Sequence, residues 1–483
     1  MLHIPILRNG QPYESADKVE ILHHATGEVV AQVSQANSGM IVRDVRRMNS
    51  GVLESFSTQQ LIDLARVAGK HFIEGTLPCG DVKHSFDDYV RHLSATTGSP
   101  ISYCKRNAEK IFKIFDDMAL ILAGLMRGLP YDTIDKGYAK QDGRTVSYFR
   151  AGRIFGAVLP SNSPGVHSLW TPAICLKAPI VLKPGREEPW TPLRIIEAYK
   201  AAGVPAEAFG FYPTDHAGAG ELLRVVDRSM LFGDAKTTAM WKDDPRVELH
   251  GPGWSKVALG DDCVEDWPKY VDLIASSISA NGGRSCINAS SVWTPKYGRA
   301  IAEALAEKFA AVQALPADDP NAVVSAFANP VVPESINAQI DAGLREPGAE
   351  DVTLAKRGGP RFVKNGRVGY LLPTVVWVDP KLRGESGTDY KAHPLSDREY
   401  LFPYASVIEC PTRDMPCAVG QTLVFSAITN DRDFAARLMA AGNIDRLNIG
   451  AIPTWQLSWD QPHEGNLFEH LYRQRAFQME EAA

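Results

Sequence analysis

Hydrophobic and polar positions change rhythm several times along this chain. Up to about residue 50, short apolar runs (His3-Ile4-Pro5-Ile6, Val19 to Leu22, Glu28 to Val33) are parted by the turn pieces Asn9-Gly10 and Thr26-Gly27, which predicts a hairpin-like start. From about 54 to 128 apolar residues recur at three- and four-residue spacing, as in Leu61-Ile62-Asp63-Leu64-Ala65 and Ile111 to Met126, the pattern of packed helices. Residues 131 to 150 lose that periodicity and read as an excursion from the main body. From Ile154 strands and helices alternate. Strands are expected at Ile154 to Leu159, Ile180 to Pro184, Phe209 to Tyr212 and Ser229 to Phe232, with helices at His167 to Ala178, Thr191 to Ala202 and Gly220 to Val226. Helices of this length between strands imply parallel crossovers, with ligands at the carboxyl ends of the strands.

A second alternating run follows Gly233. It comprises the strand Lys256 to Leu259, a helix from Val271 to Ile278, the β-branched run Ile287 to Thr294, a helix from Ala300 to Val312, and strands at Val375 to Val378 and Ala405 to Ile408. The tail from Trp455 onward mixes aromatic and charged residues and reads as a docking arm rather than a core element.

Composition narrows the class. A chain of 483 residues can form two or three domains with sizeable cores. A net charge of −6 gives no footprint for nucleic acid or an anionic membrane. The start, MLHIPILRNG, lacks the basic flank and apolar stretch of a signal peptide or membrane span. Seven scattered cysteines without a C-x-x-C pair fit reduced thiols in a cytoplasmic enzyme. Histidines and cysteines nowhere show metal-ligand spacing.

The candidate chemistry centres on Asn281-Gly282-Gly283-Arg284-Ser285-Cys286, where a thiol ends a glycine-containing turn between a helix and a strand. Glycines let the backbone approach a reacting group, and a thiol just beyond them is presented at the mouth of a cleft. The competing reading is a buried structural cysteine.

With these pieces placed, the chain resembles the aldehyde dehydrogenase superfamily over about residues 100 to 470. The cysteine stretch is similar to that family's Asn-x-Gly-Gln-x-Cys, with Arg284 for Gln. Pro160-Ser161-Asn162-Ser163-Pro164 is similar to its Pro-Trp-Asn-Phe-Pro, Leu182-Lys183-Pro184 to its Leu-Lys-Pro, and Glu399-Tyr400-Leu401-Phe402-Pro403 to its Glu-x-Phe-Gly-Pro. The resemblance implies an α/β fold. A Rossmann-type cofactor domain (1–130 and 152–248) would join an α/β catalytic domain (249–450), with bridging elements (131–151 and 451–483) that build a homodimer or homotetramer.

It also implies roles. Cys286 is the nucleophile, and the Asn162 amide and the Cys286 backbone N–H receive the oxyanion of the thiohemiacetal. Lys183 and Glu399 hold the two riboses of a nicotinamide cofactor, beside Pro160, Ser161 and Gly233. The chain departs from the pattern at three places. Arg186 stands where a carboxylate is usual, which points to NADP ahead of NAD. Asp234 follows Gly233 where Ser is usual, and a helix cap is its commonest role. The water-activating Glu is matched either by Glu248 or, in another register of Val247-Glu248-Leu249-His250-Gly251-Pro252-Gly253, by His250.

That last segment is also similar to the fatty acyl-CoA reductases of bacterial bioluminescence. Oxidation of an aldehyde to an acid therefore stands first, exchange between aldehyde and acyl-CoA second, and a non-catalytic binding protein on the same fold third. Trp170, Trp455, Trp459 and Phe468 are candidates for an apolar substrate tunnel, or for core.

Overall fold

Val247–His250, Arg228–Phe232, Phe155–Val158, Ile180–Lys183 and Phe209–Phe211 lie side by side in that order, all parallel. The first alternating run thus forms the sheet its pattern predicts. The computed structural model describes residues 1–384, 387–462 and 464–480. Trp190–Ala202 and His216–Val225 are crossover helices of this sheet. Phe155–Val158 is buried throughout, as a central parallel strand with both faces covered must be. From it the chain moves first to Ile180–Lys183 on one side and later to Arg228–Phe232 on the other. The loops after Val158 and Phe232 therefore open a crevice at a topological switch point.

The start of the chain is more complex than a hairpin. Leu2–Ile4 pairs parallel with Val29–Ser34, and Lys18–Leu22 pairs antiparallel with it. Ile6–Arg8 instead leaves to extend the first sheet antiparallel beside Phe209–Phe211. The expected helix His167 to Ala178 is also corrected. It is a single α-turn, His167–Trp170, between the 3-10 pieces Pro164–Val166 and Thr171–Ala173. Pro172 lacks the N–H a continuing helix needs, and Lys177 adopts a left-handed φ of 57°. The periodic stretch Ile111 to Met126 is split at Asp117 between Ile101–Asp116 and Met118–Leu125.

The second sheet runs Ala349–Asp351, Thr374–Val378, Tyr404–Glu409, Ala289–Thr294, Ser255–Leu259, Thr422–Ile428, Ile444–Ile449, parallel except at its first edge. The chain crosses between the sheets over residues 251–254, so both sheets contribute to the crevice. Residues 131–151 form the short helix Asp132–Asp135 and the hairpin Tyr138–Gln141 with Arg144–Arg150. Tyr472–Arg475 of the tail adds a third strand to that hairpin. The tail is not only an arm, however: Leu467, Phe468, Leu471 and Tyr472 are buried in the same core as Phe155 and Trp170. Four apolar residues among charged neighbours suffice for that role, and averaged composition hides them. No helix among the described residues is long and apolar enough to cross a membrane.

Candidate active site

The nucleophile turn follows the helix Val271–Ser279. Asn281, Gly282 and Gly283 all take left-handed φ values of 53°, 69° and 69°, a run that non-glycine residues rarely sustain. At Gly283 a side chain would also strike the backbone of Phe402 and Pro403, so the glycine lets two of the quoted motifs touch. The Asn281 side chain accepts from Asn107 Nδ2 (2.7 Å) and donates to Ser163 Oγ (3.2 Å) and Ser285 Oγ (3.3 Å). Arg284 is buried and donates to the carbonyls of Thr97, Ser325 and Ala326 while stacking over Phe327. Its value falls to about 10 through burial. The substitution of Gln by Arg thus serves as an internal clamp on the turn. Ser255 Oγ donates to the Cys286 carbonyl (2.8 Å), and Gly253 lies against the same carbonyl.

Cys286 emerges half-buried into a cavity of about 440 Å³, whereas Cys79, Cys104, Cys175, Cys263 and Cys410 are buried and Cys417 is exposed. Facing that cavity are Asn162, His250, Glu399, Glu464 and Lys110. Asn162 Nδ2 donates to the Arg284 carbonyl (2.8 Å), which fixes its amide beside the thiol's turn. Burial pushes the Cys286 thiol well above the ordinary range; Glu464 and Glu399 push the same way and Lys110 opposes them. Burial likewise raises Glu399 to about 8, against the backbone N–H groups of Trp254 and Gly253 that its carboxylate accepts.

Other residues singled out in the sequence divide into two groups. Pro160, Ser161 and Gly233 line the cavity. Asp234 does too, and it caps Ala235–Ala239 by accepting from Thr237 N–H (2.7 Å). Lys183, Arg186 and Glu248 are not among the lining residues. Lys183 sits half-buried at the end of its strand, and neither it nor the exposed Arg186 makes an ion pair with any described residue.

Between Glu248 and His250, the structure brings the histidine to Cys286's cavity. His250 ends the strand Val247–His250, pairs in register with Phe232 and stacks on that ring (4.5 Å between centroids). Its Nε2 lies 3.0 Å from Glu248 Oε1 and its Nδ1 3.1 Å from Glu464 Oε1. Burial alone would lower His250; the Glu464 and Glu248 carboxylates overcome it and raise it to about 10. Glu248 turns away from the cavity, its carboxylate packed where a side chain on Gly465 would stand. His250 is therefore an imidazolium held between two carboxylates at neutral pH.

Two cavity residues escaped the sequence reading, Glu464 and Lys110. Glu464 belongs to no spacing pattern that a short window would detect. Lys110 does have a signal: it lies three residues after Asn107 on Ile101–Asp116, so the two share a helix face. Of the aromatic candidates, Trp170 and Phe468 are core and Trp455 is 44% exposed. Trp459 alone stands beside the site, its ring 5.9 Å from the Lys110 ammonium.

Comparison with known proteins bears on the family and the fold. The model of the aldehyde dehydrogenase family matches residues 12–383. A Staphylococcus haemolyticus chain provisionally named an aldehyde dehydrogenase is 22% identical over 459 residues, covering 91% of this chain and 89% of that one. A 2-hydroxymuconic semialdehyde dehydrogenase of a Pseudomonas species is 24% identical over 63% of each chain. Among solved structures, the aldehyde dehydrogenase KauB of Pseudomonas aeruginosa superposes with a TM-score of 0.78 at 16% identity, covering 99% and 96% of the two chains. The P. syringae indole-3-acetaldehyde dehydrogenase AldA, in complex with NAD+, gives 0.76 at 16% identity, covering 98% and 96%.

Proposed function

The chain belongs to the aldehyde dehydrogenase family, and from that premise we propose that it oxidises an aldehyde to a carboxylic acid through a thiohemiacetal and then a thioacyl intermediate on Cys286. The observation that carries this reading is the meeting of Cys286 with an Asn162 amide pinned to the neighbouring carbonyl in one cavity. Sγ bonds to the carbonyl carbon, and the displaced electron pair resides on oxygen, where the Asn162 amide and the Cys286 backbone N–H stabilise it. Because burial holds Cys286 as a thiol at rest, its proton must leave. Glu464, which faces the cavity and is anchored by His250, is the acceptor we assign.

A nicotinamide dinucleotide, when bound, supplies the hydride acceptor. The chain's residues fit it. The Lys183 ammonium is shielded at a strand end and makes no hydrogen bond or ion pair with any described residue, a state that suits ribose or phosphate oxygens. The crevice at the switch point offers Pro160, Ser161 and Gly233, and Glu399 stands on its far wall. Arg186, exposed and unpaired among the described residues, favours the 2′-phosphate of NADP over NAD. The three-stranded element built from residues 138–150 and 472–475 exposes Phe149, and we assign it to bridging subunits of a homodimer or homotetramer.

One observation favours a second reading, transfer of the acyl group to or from CoA. Glu248 lies outside the cavity and His250 is already protonated, so neither residue matched to the water-activating position offers a free base there. The test follows nicotinamide absorbance with aldehydes and either cofactor, with and without CoA, in wild type and Cys286→Ala. Reduction without CoA that is lost in Cys286→Ala supports the hydrolytic reading. Turnover only with CoA moves the protein to the acylating one. Silence in every arm refutes both.

A further inference from the structure

Lys110, which opposes the upward push of Glu464 and Glu399 on the Cys286 thiol, touches no part of the substrate in the scheme above. The helix Ile101–Asp116 brings it to the cavity, and Asn107 on the same face ties that helix to the nucleophile turn. Its ammonium makes no hydrogen bond or ion pair with any described residue; it lies beside Gly165, 5.9 Å from the Trp459 ring, within electrostatic reach of Cys286 and Glu464. The cavity it shares is also lined by the apolar Val166, Leu169 and Leu457 and by Ser163 and Ser168. Ser168, Leu169 and Glu464 also line a second, smaller cavity with Ile121, Leu125, Trp459 and Leu467. Burial depresses its proton affinity, opposed by Cys286 and Glu464, and an ammonium without a direct ion pair in such surroundings is costly unless an opposite charge arrives. Glu464, the carboxylate in the same cavity, is already engaged by His250.

We propose that Lys110 binds an anionic end group of the substrate, so that the substrate is an aldehyde carrying a carboxylate at the other end of its chain. The inference rests on Cys286 as the aldehyde's nucleophile and adds the class of aldehyde. One cation suits one carboxylate charge. The other two cations that line the cavity are engaged, Arg284 by backbone carbonyls and His250 by Glu248 and Glu464, and a phosphate dianion would meet Glu464 and Glu399 in the same space.

The test compares matched unbranched aldehydes of equal length, one of each pair ending in a carboxylate and the other in the neutral amide. Wild type is expected to prefer the carboxylate member by about tenfold or more in kcat/KM. Lys110→Gln should erase that preference through KM, and Lys110→Arg should keep most of it. Because Lys110 is half-buried, a second measurement uses wild type alone: the monoamide of a dicarboxylic acid should protect Cys286 from alkylation by iodoacetamide better than the diamide of the same chain does. Absence of preference in wild type, its survival in Lys110→Gln, or equal protection by monoamide and diamide overturns the inference. So does an equal loss of kcat on both members with an alkaline shift of the alkylation profile, since Lys110 would then serve the thiol. Failure of wild type to oxidise any aldehyde, charged or neutral, would instead refute the underlying reading of Cys286.

Discussion

The turn that presents Cys286 and the cluster that faces it across the cavity are assembled differently. In the turn, three successive left-handed residues are held by Asn281, Arg284 and Ser255, each bonded to atoms inside the protein. Left-handed non-glycine backbone costs about 1–3 kcal/mol, and the surrounding hydrogen bonds over-determine it. The opposing cluster joins a strand end, Glu248 and His250, to Glu464 in the tail, and its stability depends on charge. One region is fixed by shape and holds its form across the neutral range. The other is fixed by a proton.

That contrast can be broken most strongly at the thiol. Cys286→Ala should lower aldehyde-dependent cofactor reduction by a factor on the order of a thousand or more, while the melting temperature stays near that of wild type. Retention of activity would remove the thiol from the chemistry. Next comes Gly283→Ala, which puts a Cβ on a left-handed residue and against the Phe402–Pro403 backbone. It should destabilise the chain by about 1–3 kcal/mol, read from urea unfolding. A neutral result would mean that the turn relaxes freely.

The cluster should answer to pH where the turn does not. His250 is raised from 6.5 to about 10 in the folded chain, so the folded state binds that proton more tightly than the unfolded state. The stability this contributes is present in full below the ordinary value of 6.5 and is lost as pH rises toward about 10. The urea midpoint should therefore fall across that window, and Glu464→Gln should flatten the fall by removing one of the two carboxylates. A midpoint that is level in wild type would show that no imidazolium is held there. The smallest expected effect lies on the cofactor side. Arg186→Glu should shift the ratio of kcat/KM for NADP over NAD by about tenfold toward NAD, and an unchanged ratio would take Arg186 out of cofactor recognition.

Much of this protein follows from local sequence. Alternating apolar runs specify the parallel strands, because buried strands and the helices that cross over them leave distinct periods. Asn281 to Cys286 specify a turn that few other residues permit, and Asp234 specifies a helix cap; both are settled within a few residues of themselves. Between Glu248 and His250 the pattern cannot choose, since residues two apart on a strand share a face. Only the packing of the strand end against Phe232 and the tail sends the histidine toward Cys286 and the glutamate toward Gly465. Glu464 and Lys110 reach the cavity through elements far apart in the chain, and the tail's four buried apolar residues find their core only when that core exists. Local propensity determined the thiol and the sheets. Tertiary structure decided which charges surround the thiol, because burial and charge pairing are properties of a folded neighbourhood rather than of any one segment.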